Sequence, residues 1–345
     1  MPRVPAARAL PLLLALAAPA AAGCAAPAAR VTFIEENDVF NLGDGLRTDR
    51  DRTQAARLAV TFPAESTPSW ARAAAGAIPL FADGAPVHLG VVVGQEIATP
   101  EDLALTFPFP DDRPYVAWLF AGAVLQVPVF DPDAARRRDR RDTLEIDLGV
   151  VGPSAQGETA QNSFHRLFDI PDASGWDAQV EDEFAFLATA ERRWRVLAGG
   201  GSGDGGRLGW DALPFLRARA GSVRVDGGAG GIVRVGWNLP RDFGPSSIDA
   251  HGLDRRAPPP GFWICGWAGG EGRGVAHDVL VSGGVFRDGP GVTEEPFVWS
   301  ATAGLAAGWG PVTLAFGQTF TSPEFRERSR YHQVSTILLS AAAWF

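Results

Sequence analysis

The chain has 345 residues, with 40 acidic against 31 basic side chains, and the formal net charge of −9 argues against a nucleic-acid binder. An apolar content of 46% is too high for a disordered chain, and its 41 Gly and 27 Pro follow no collagen period. Every basic residue is Arg and none is Lys. The mean hydropathy of zero suits a soluble domain and a membrane barrel equally.

In chain order, the first element is a leader. Arg3 and Arg8 precede the apolar run Ala9–Ala18 and a tail of small residues, which predicts a secretory signal over residues 1–29, too short to span as a helix. Ala21-Ala22-Gly23-Cys24 has the form of a lipoprotein box, while Ala20-Ala21-Ala22 or Ala26-Pro27-Ala28 suits ordinary cleavage. Without Cys24 only Cys265 remains, so no intramolecular disulfide is expected, and Cys265 reads as an ordinary strand residue.

Residues 30–345 read as one domain, with no repeat and no further run of 18 apolar residues. Strand patterns recur through it. Arg57–Phe62 and Val87–Gln95 alternate, and Thr143–Val150 does so without error. Val223–Val225 and Val233–Leu239 flank Asp226–Gly231, which reads as a hairpin turn. Thr313–Phe320 and Val334–Phe345 close the series, and the chain ends on Trp344-Phe345. One face of these strands carries Leu, Val, Ile, Trp and Phe, the other Arg, Glu, Asp, Thr and Gln. A soluble β-sandwich alternates too. The terminal aromatic and the load of 11 Trp and 21 Phe favour a transmembrane barrel with aromatic girdles, although Tyr is scarce at 2.

Between the strands, Gly199–Gly206 lacks the Lys and helix start of a phosphate cradle. Ala134–Asp142, rich in Arg, reads as a solvated turn. The five His show no zinc spacing and no G-x-S-x-G occurs, so the zinc and serine-hydrolase templates find no support. Dense polar clusters stand out instead: Glu35–Asp38, Thr48–Gln54, Asp111–Tyr115 and Gly157–His165. The last can form a short helix that sets Gln161 and His165 on one face at i and i+4. With a periplasmic N-terminus and strands at about 31–38, 53–63, 86–97 and 143–152 running alternately up and down, all four clusters fall on the outer rim.

Each residue also has a plainer reading. His165 can be a solvated helix residue, and Asn37-Asp38 a strand-end turn. Asp111–Pro114 reads better as a structural turn with a local ion pair than as a catalytic element. Glu181 and Glu183 read as lumen-facing barrel residues rather than a glycosidase pair. His88, His251, His277 and His332 receive no role.

Glu36-Asn37-Asp38-Val39-Phe40 followed by Thr48-Asp49-Arg50-Asp51-Arg52-Thr53-Gln54 resembles the opening "ENDxF…TDRxYTxG" of the outer-membrane lipid A 3-O-deacylases. The likeness continues through Gly94-Gln95, Thr99-Pro100, Asp111–Tyr115 with Trp118, Leu148–Pro153, Gln161-Asn162, His165, Gly175–Asp177 and Gln179. Weaker blocks are Phe286–Pro290 and Phe325-Arg326. The resemblance implies a monomeric twelve-stranded barrel in the outer membrane of a Gram-negative bacterium, with a short helix in an extracellular loop. It implies removal of the 3′-linked acyloxyacyl chain of lipid A by Ca2+-assisted hydrolysis. By position, His165 is the general base, Asn37, Asp38, Thr53 and Gln161 complete the catalytic group, and Asp38 and Thr53 face the metal. The family lysine after the third strand has no counterpart here, so Arg113 is the cationic candidate for substrate. The "YTxG" element reads Arg52-Thr53-Gln54-Ala55, without the aromatic and the Gly. An outer-membrane phospholipase-type esterase and a barrel without catalysis are the other readings.

Overall fold

The computed structural model describes residues 29–41, 51–81, 84–104, 106, 111–131, 139–200, 207–248, 261–328 and 331–343. The leader up to residue 28, Thr48–Arg50, His251 and Trp344-Phe345 lie outside them.

The alternating segments form a closed antiparallel barrel. Its strands are β1 (Ala29–Asn37), β2 (Asp51–Thr61), β3 (His88–Thr99), β4 (Val116–Val129), β5 (Asp139–Val151), β6 (Glu183–Arg195), β7 (Leu197–Gly200), β8 (Leu208–Gly221), β9 (Arg224–Trp237), β10 (Phe262–Asp278), β11 (Phe297–Trp309), β12 (Val312–Thr321) and β13 (His332–Ala343). β1 pairs with β13, and β6 with β8, which closes the ring. The short β7 adds only to β8 among the described residues, leaving twelve strands in the wall, as expected. Both ends of the described chain lie at one rim, here the terminal rim. The opposite rim carries the connections after β1, β3, β5, β8, β10 and β12. Three helices decorate the wall: α1 (Ser69–Gly76), α2 (Gly157–Phe168) and α3 (Val279–Ser282).

The alternation has a physical outcome in β5. Glu145 and Asp147 are 1% and 2% exposed inside the ring, whereas Ile146 and Leu148 are 50% and 52% exposed outside it. No helix among the described residues is long and apolar enough to cross a membrane; the outward apolar side chains of the strands, Val91, Ile146, Val233 and Leu305 among them, supply the apolar belt. Trp210, Trp237, Phe262 and Trp309 ring the outside near the terminal rim, and Phe184, Phe297, Trp299 and Phe320 near the other. These are the two aromatic girdles of a membrane barrel.

The lumen is filled, not open. Glu191 accepts hydrogen bonds from Arg141 (3.0 Å), Arg193 (3.3 Å) and Arg217 (3.0 Å), and Arg217 also reaches Glu271 (3.1 Å). Arg234 spans both carboxylate oxygens of Asp211, at 2.9 and 2.7 Å, and Arg57 pairs with Glu145. A guanidinium presents five donors in a planar fork, so one cation satisfies several buried acceptors.

Two expectations are corrected. Asp226–Gly231 is not a turn but the middle of β9, with the reversal at Ser222-Val223. Its glycines permit close strand approach: a Cβ at Gly230 would sit 2.5 Å from the Gly270 carbonyl oxygen. Ala134–Asp142 is not wholly a solvated turn, because Asp139–Asp142 opens β5. Asp139 and Arg141 are buried in the lumen against Arg241 and Glu191, whereas Asp142, on the other face of β5, is buried against Arg192, which also reaches the Leu80 carbonyl.

The sequence carries no hint of the path taken after β9. Residues 238–248 leave the terminal rim and run up inside the lumen, with Leu239, Phe243 and Ile248 buried. Arg193 donates to the Phe243 carbonyl (3.1 Å), and the Ile248 N–H donates to Glu36 (3.0 Å) near the opposite rim.

Candidate active site

The sequence-predicted residues lie at the rim opposite the termini. β1 ends at Asn37, opposite Gln54 of β2, and Asp38 starts a single 3-10 turn over Asp38–Phe40. Thr53 occupies a bulge between Arg52 and Gln54 in the β2–β3 ladder. Bulges of this kind re-aim side chains beside active sites. Asp38 directly follows the last β1–β2 pair, Asn37–Gln54, and the Thr53 hydroxyl is 2.6 Å from that of Thr99. Asn37, Asp38 and Thr53 are 2%, 0% and 2% exposed.

His165 comes from the long connection after β5. α2 buries Gly157, Gln161, Asn162 and His165 while Leu167 and Phe168 remain exposed. A helix ordinarily buries its apolar face and exposes its polar one; α2 reverses this. Its polar face is held on a bed of Ile97, Tyr115, Ala117, Ala173 and Trp176. The Trp176 indole N–H donates to Gln161 Oε1 (2.9 Å), and Asn162 Oδ1 accepts the Ala173 N–H (2.9 Å). Gln161 Nε2 is buried with no hydrogen-bond acceptor among the described residues. Phe40, two residues after Asp38, meets Phe164 and Phe168 edge-on at 6.2 and 5.9 Å between ring centroids. That contact joins the β1 end to the helix that carries His165.

His165 Nδ1 lies 2.7 Å from the Pro171 carbonyl oxygen. A carbonyl only accepts, so Nδ1 carries the proton in this bond. The neutral ring then presents its lone pair at Nε2. Pro171 is six residues on, past the end of the helix, and sequence spacing gave no sign of it. The aromatic contact of Phe40 was likewise missed, although Phe40 stands inside the first motif.

Arg113 differs from its expected place against substrate. It is 2% exposed and faces inward, 2.9 Å from Glu324 and stacked over Phe325. Its partner is therefore distant in sequence rather than the local ion pair expected of Asp111–Pro114. Burial would raise the Glu324 carboxyl, but Arg113 and Arg273 prevail and hold it at about 2. Glu183 is buried at the rim, where it accepts the backbone N–H groups of Val285, Phe286 and Arg287, and Glu181 is exposed against Arg287. His88 and His277 bond to the carbonyls of Phe62 and Ser222.

For a metal, the donors at hand are hard oxygens, from Asp38, Thr53 and Thr99, which suit calcium by type. Among the described residues no three His, Cys, Asp or Glu converge to hold an ion.

The sequence matches the family model of the outer membrane protein LpxR over residues 9–343. The chain belongs to the LpxR family. This family is the lipid A 3-O-deacylase family that the motifs resemble, and its members reside in the outer membrane of Gram-negative bacteria. The solved LpxR from Salmonella typhimurium is 19% identical, with a TM-score of 0.70 over 92% of this chain and all of that one (100%). That likeness gives the barrel fold of the LpxR-family chain independent support. The KdgM porin (7% identical, TM-score 0.36, 90% of this chain and 98% of that one) and the NalP translocator domain from Neisseria meningitidis (8%, 0.35, 92% and 89%) also match. At those scores neither bears on the site. No curated protein sequence matches the chain.

Proposed function

We propose that this LpxR-family barrel hydrolyses the 3′-linked acyloxyacyl ester of lipid A, with His165 as general base. The observation that carries the reading is the His165 Nδ1 bond to the Pro171 carbonyl, on a helix that buries its polar face. A neutral imidazole so held accepts a proton at Nε2 from water. The water oxygen bonds to the ester carbonyl carbon, and the carbon–oxygen bond to the sugar breaks. His165 returns the proton to the departing 3′-oxygen, giving a free hydroxyl and a fatty acid. Ca2+ held with Asp38 and Thr53 would polarise the ester carbonyl and offset its developing negative charge. Gln161 orients the helix through Trp176, and its buried Nε2–H group is a donor for the substrate. Asn37 fixes the end of β1 from which Asp38 projects. Arg113 acts through Glu324 in bracing the rim, so the phosphates of lipid A meet other groups.

The test is mass spectrometry of lipid A after expression in a host that carries 3′-acyloxyacyl chains. Loss of that chain, abolished by chelator and by His165→Ala, supports the reading. Intact lipid A with fatty acid released from phospholipid would assign a phospholipase-type esterase. No change in either lipid would leave a barrel without catalysis.

A further inference from the structure

The lumen is unequal from side to side. Toward β3–β6 it is packed with Arg–carboxylate pairs and with Trp118 and Phe120. Toward β10–β13 several inward residues are small or hydroxylated, among them Ser300, Thr302, Gly317 and Thr319, and two cavities run along this wall. The larger, about 150 Å³, extends from Glu324 and His332 at the site rim past Ser300 and Thr319 to Gly317 and Trp267 at mid-barrel. The smaller, about 70 Å³, continues to the terminal rim past Cys265, Thr313 and Ser340. Both are polar enough and large enough for water.

The two cavities divide one wall at successive inward positions. On β10 Trp267 faces the larger and Cys265 the smaller; on β12 the pair is Gly317 and Ala315; on β13, Thr336 and Leu338. Neighbouring inward positions are two residues apart in a strand, so no wall residue stands between the cavities. What separates them is the lumenal segment: Pro245 and Ser246 line both. That segment is fastened on either side of these two residues. Arg234 holds Asp242 and the Pro240 carbonyl, Arg241 holds Asp139, and Ile248 is held by Glu36 and Arg57.

We infer that the barrel encloses a pathway for water and small hydrophilic ions along the β10–β13 wall, closed at Pro245–Ser246 by the plug formed by residues 238–248. The pathway is separate from the rim site: His165, Asp38 and Thr53 line neither cavity. The plug is held by charge pairs beside its buried Leu239, Phe243 and Ile248, so cutting those pairs loosens it.

The experiment is single-channel conductance of the refolded full chain in planar bilayers. The native protein is expected to be silent. A variant with residues 240–260 replaced by a short Gly/Ser turn is expected to show stepwise openings. Should that variant fail to fold, the double variant Arg241→Ala/Asp242→Ala keeps the segment and cuts two of its anchors, and brief openings are expected. A charged, membrane-impermeant thiol reagent applied to intact cells supplies a second readout. The peptide carrying Cys265 should stay unmodified in the native protein and gain the label when the plug is removed or loosened. Steady conductance of the native barrel would overturn the inference. So would folded variants, judged by heat-modifiable migration, that stay silent and unlabelled at Cys265. Lipid A hydrolysis is measured in parallel, and its presence or absence does not bear on either outcome.

Discussion

At the scale of single residues, the absence of Lys has a structural counterpart in the lumen. Glu191 binds three guanidinium groups and Asp211 two, and these geometries need planar forks rather than point charges. The rim uses the same chemistry in Glu324, shared by Arg113 (2.9 Å) and Arg273 (3.0 Å). Its carboxyl is held at about 2, below its ordinary 4.5. A depressed folded-state value means the pair stabilises the fold fully above about 4.5 and stops doing so as pH falls through about 2. Thermal unfolding in detergent should therefore show Glu324→Gln less stable than the native chain at pH 7. The gap should narrow below pH 4.5 and close near pH 2. The identity of His165 and Gln161 as a pair was legible from their i, i+4 spacing. The partner of Arg113 was not, since Glu324 lies 211 residues further along. Nor was Pro171, whose carbonyl reaches the ring only because the chain folds back after α2.

At the scale of elements, period-two alternation located the strands and failed where other forces override it. Charged Asp139 and Arg141 look like solvent-facing chain, yet a membrane barrel reverses the usual rule and buries charge on its lumenal face. The Gly-rich middle of β9 looks like a turn, yet glycines there serve close strand approach. α2 was legible as a helix, but its inverted burial was not, because that depends on which surface the barrel offers it. The start of α2 is pressed against its bed: a Cβ at Gly157 would fall 2.4 Å from the Trp176 ring and 2.6 Å from Ala117. Gly157→Val should thus lift the helix from the wall. The expected result is a folded, heat-modifiable barrel whose lipid A hydrolysis falls at least about tenfold, since a misplacement near 1 Å is enough to cost a hundredfold in rate. Unchanged hydrolysis would show that the seating of α2 does not position His165.

At the scale of the whole molecule, the mean hydropathy of zero is the average of an apolar belt and a charged lumen. The belt can be tested alone. Ile146, 50% exposed on the outer face of β5, should tolerate Leu and reject Arg. Ile146→Arg is expected to cost about 2–4 kcal/mol near the bilayer midplane, read from denaturant-driven unfolding in lipid vesicles. In a barrel whose outer face met water, the same change would be close to neutral. The barrel and the gathering of the polar clusters at one rim were legible because alternation and polar clustering are local properties of sequence. The lumenal plug was not, because residues 238–248 have no period and take their place from partners on β1, β2, β5, β6 and β9.

The central claim is that the rim around His165 deacylates lipid A at the 3′ position. Mass spectrometry of lipid A from cells expressing the native chain tests it most directly, with His165→Ala as the control. Loss of one acyloxyacyl mass is expected in the native strain, with a fall of about 10²- to 10⁴-fold in that conversion for a well-folded His165→Ala barrel. An unaltered lipid A spectrum with the native barrel in the outer membrane, or full conversion by His165→Ala, would contradict it.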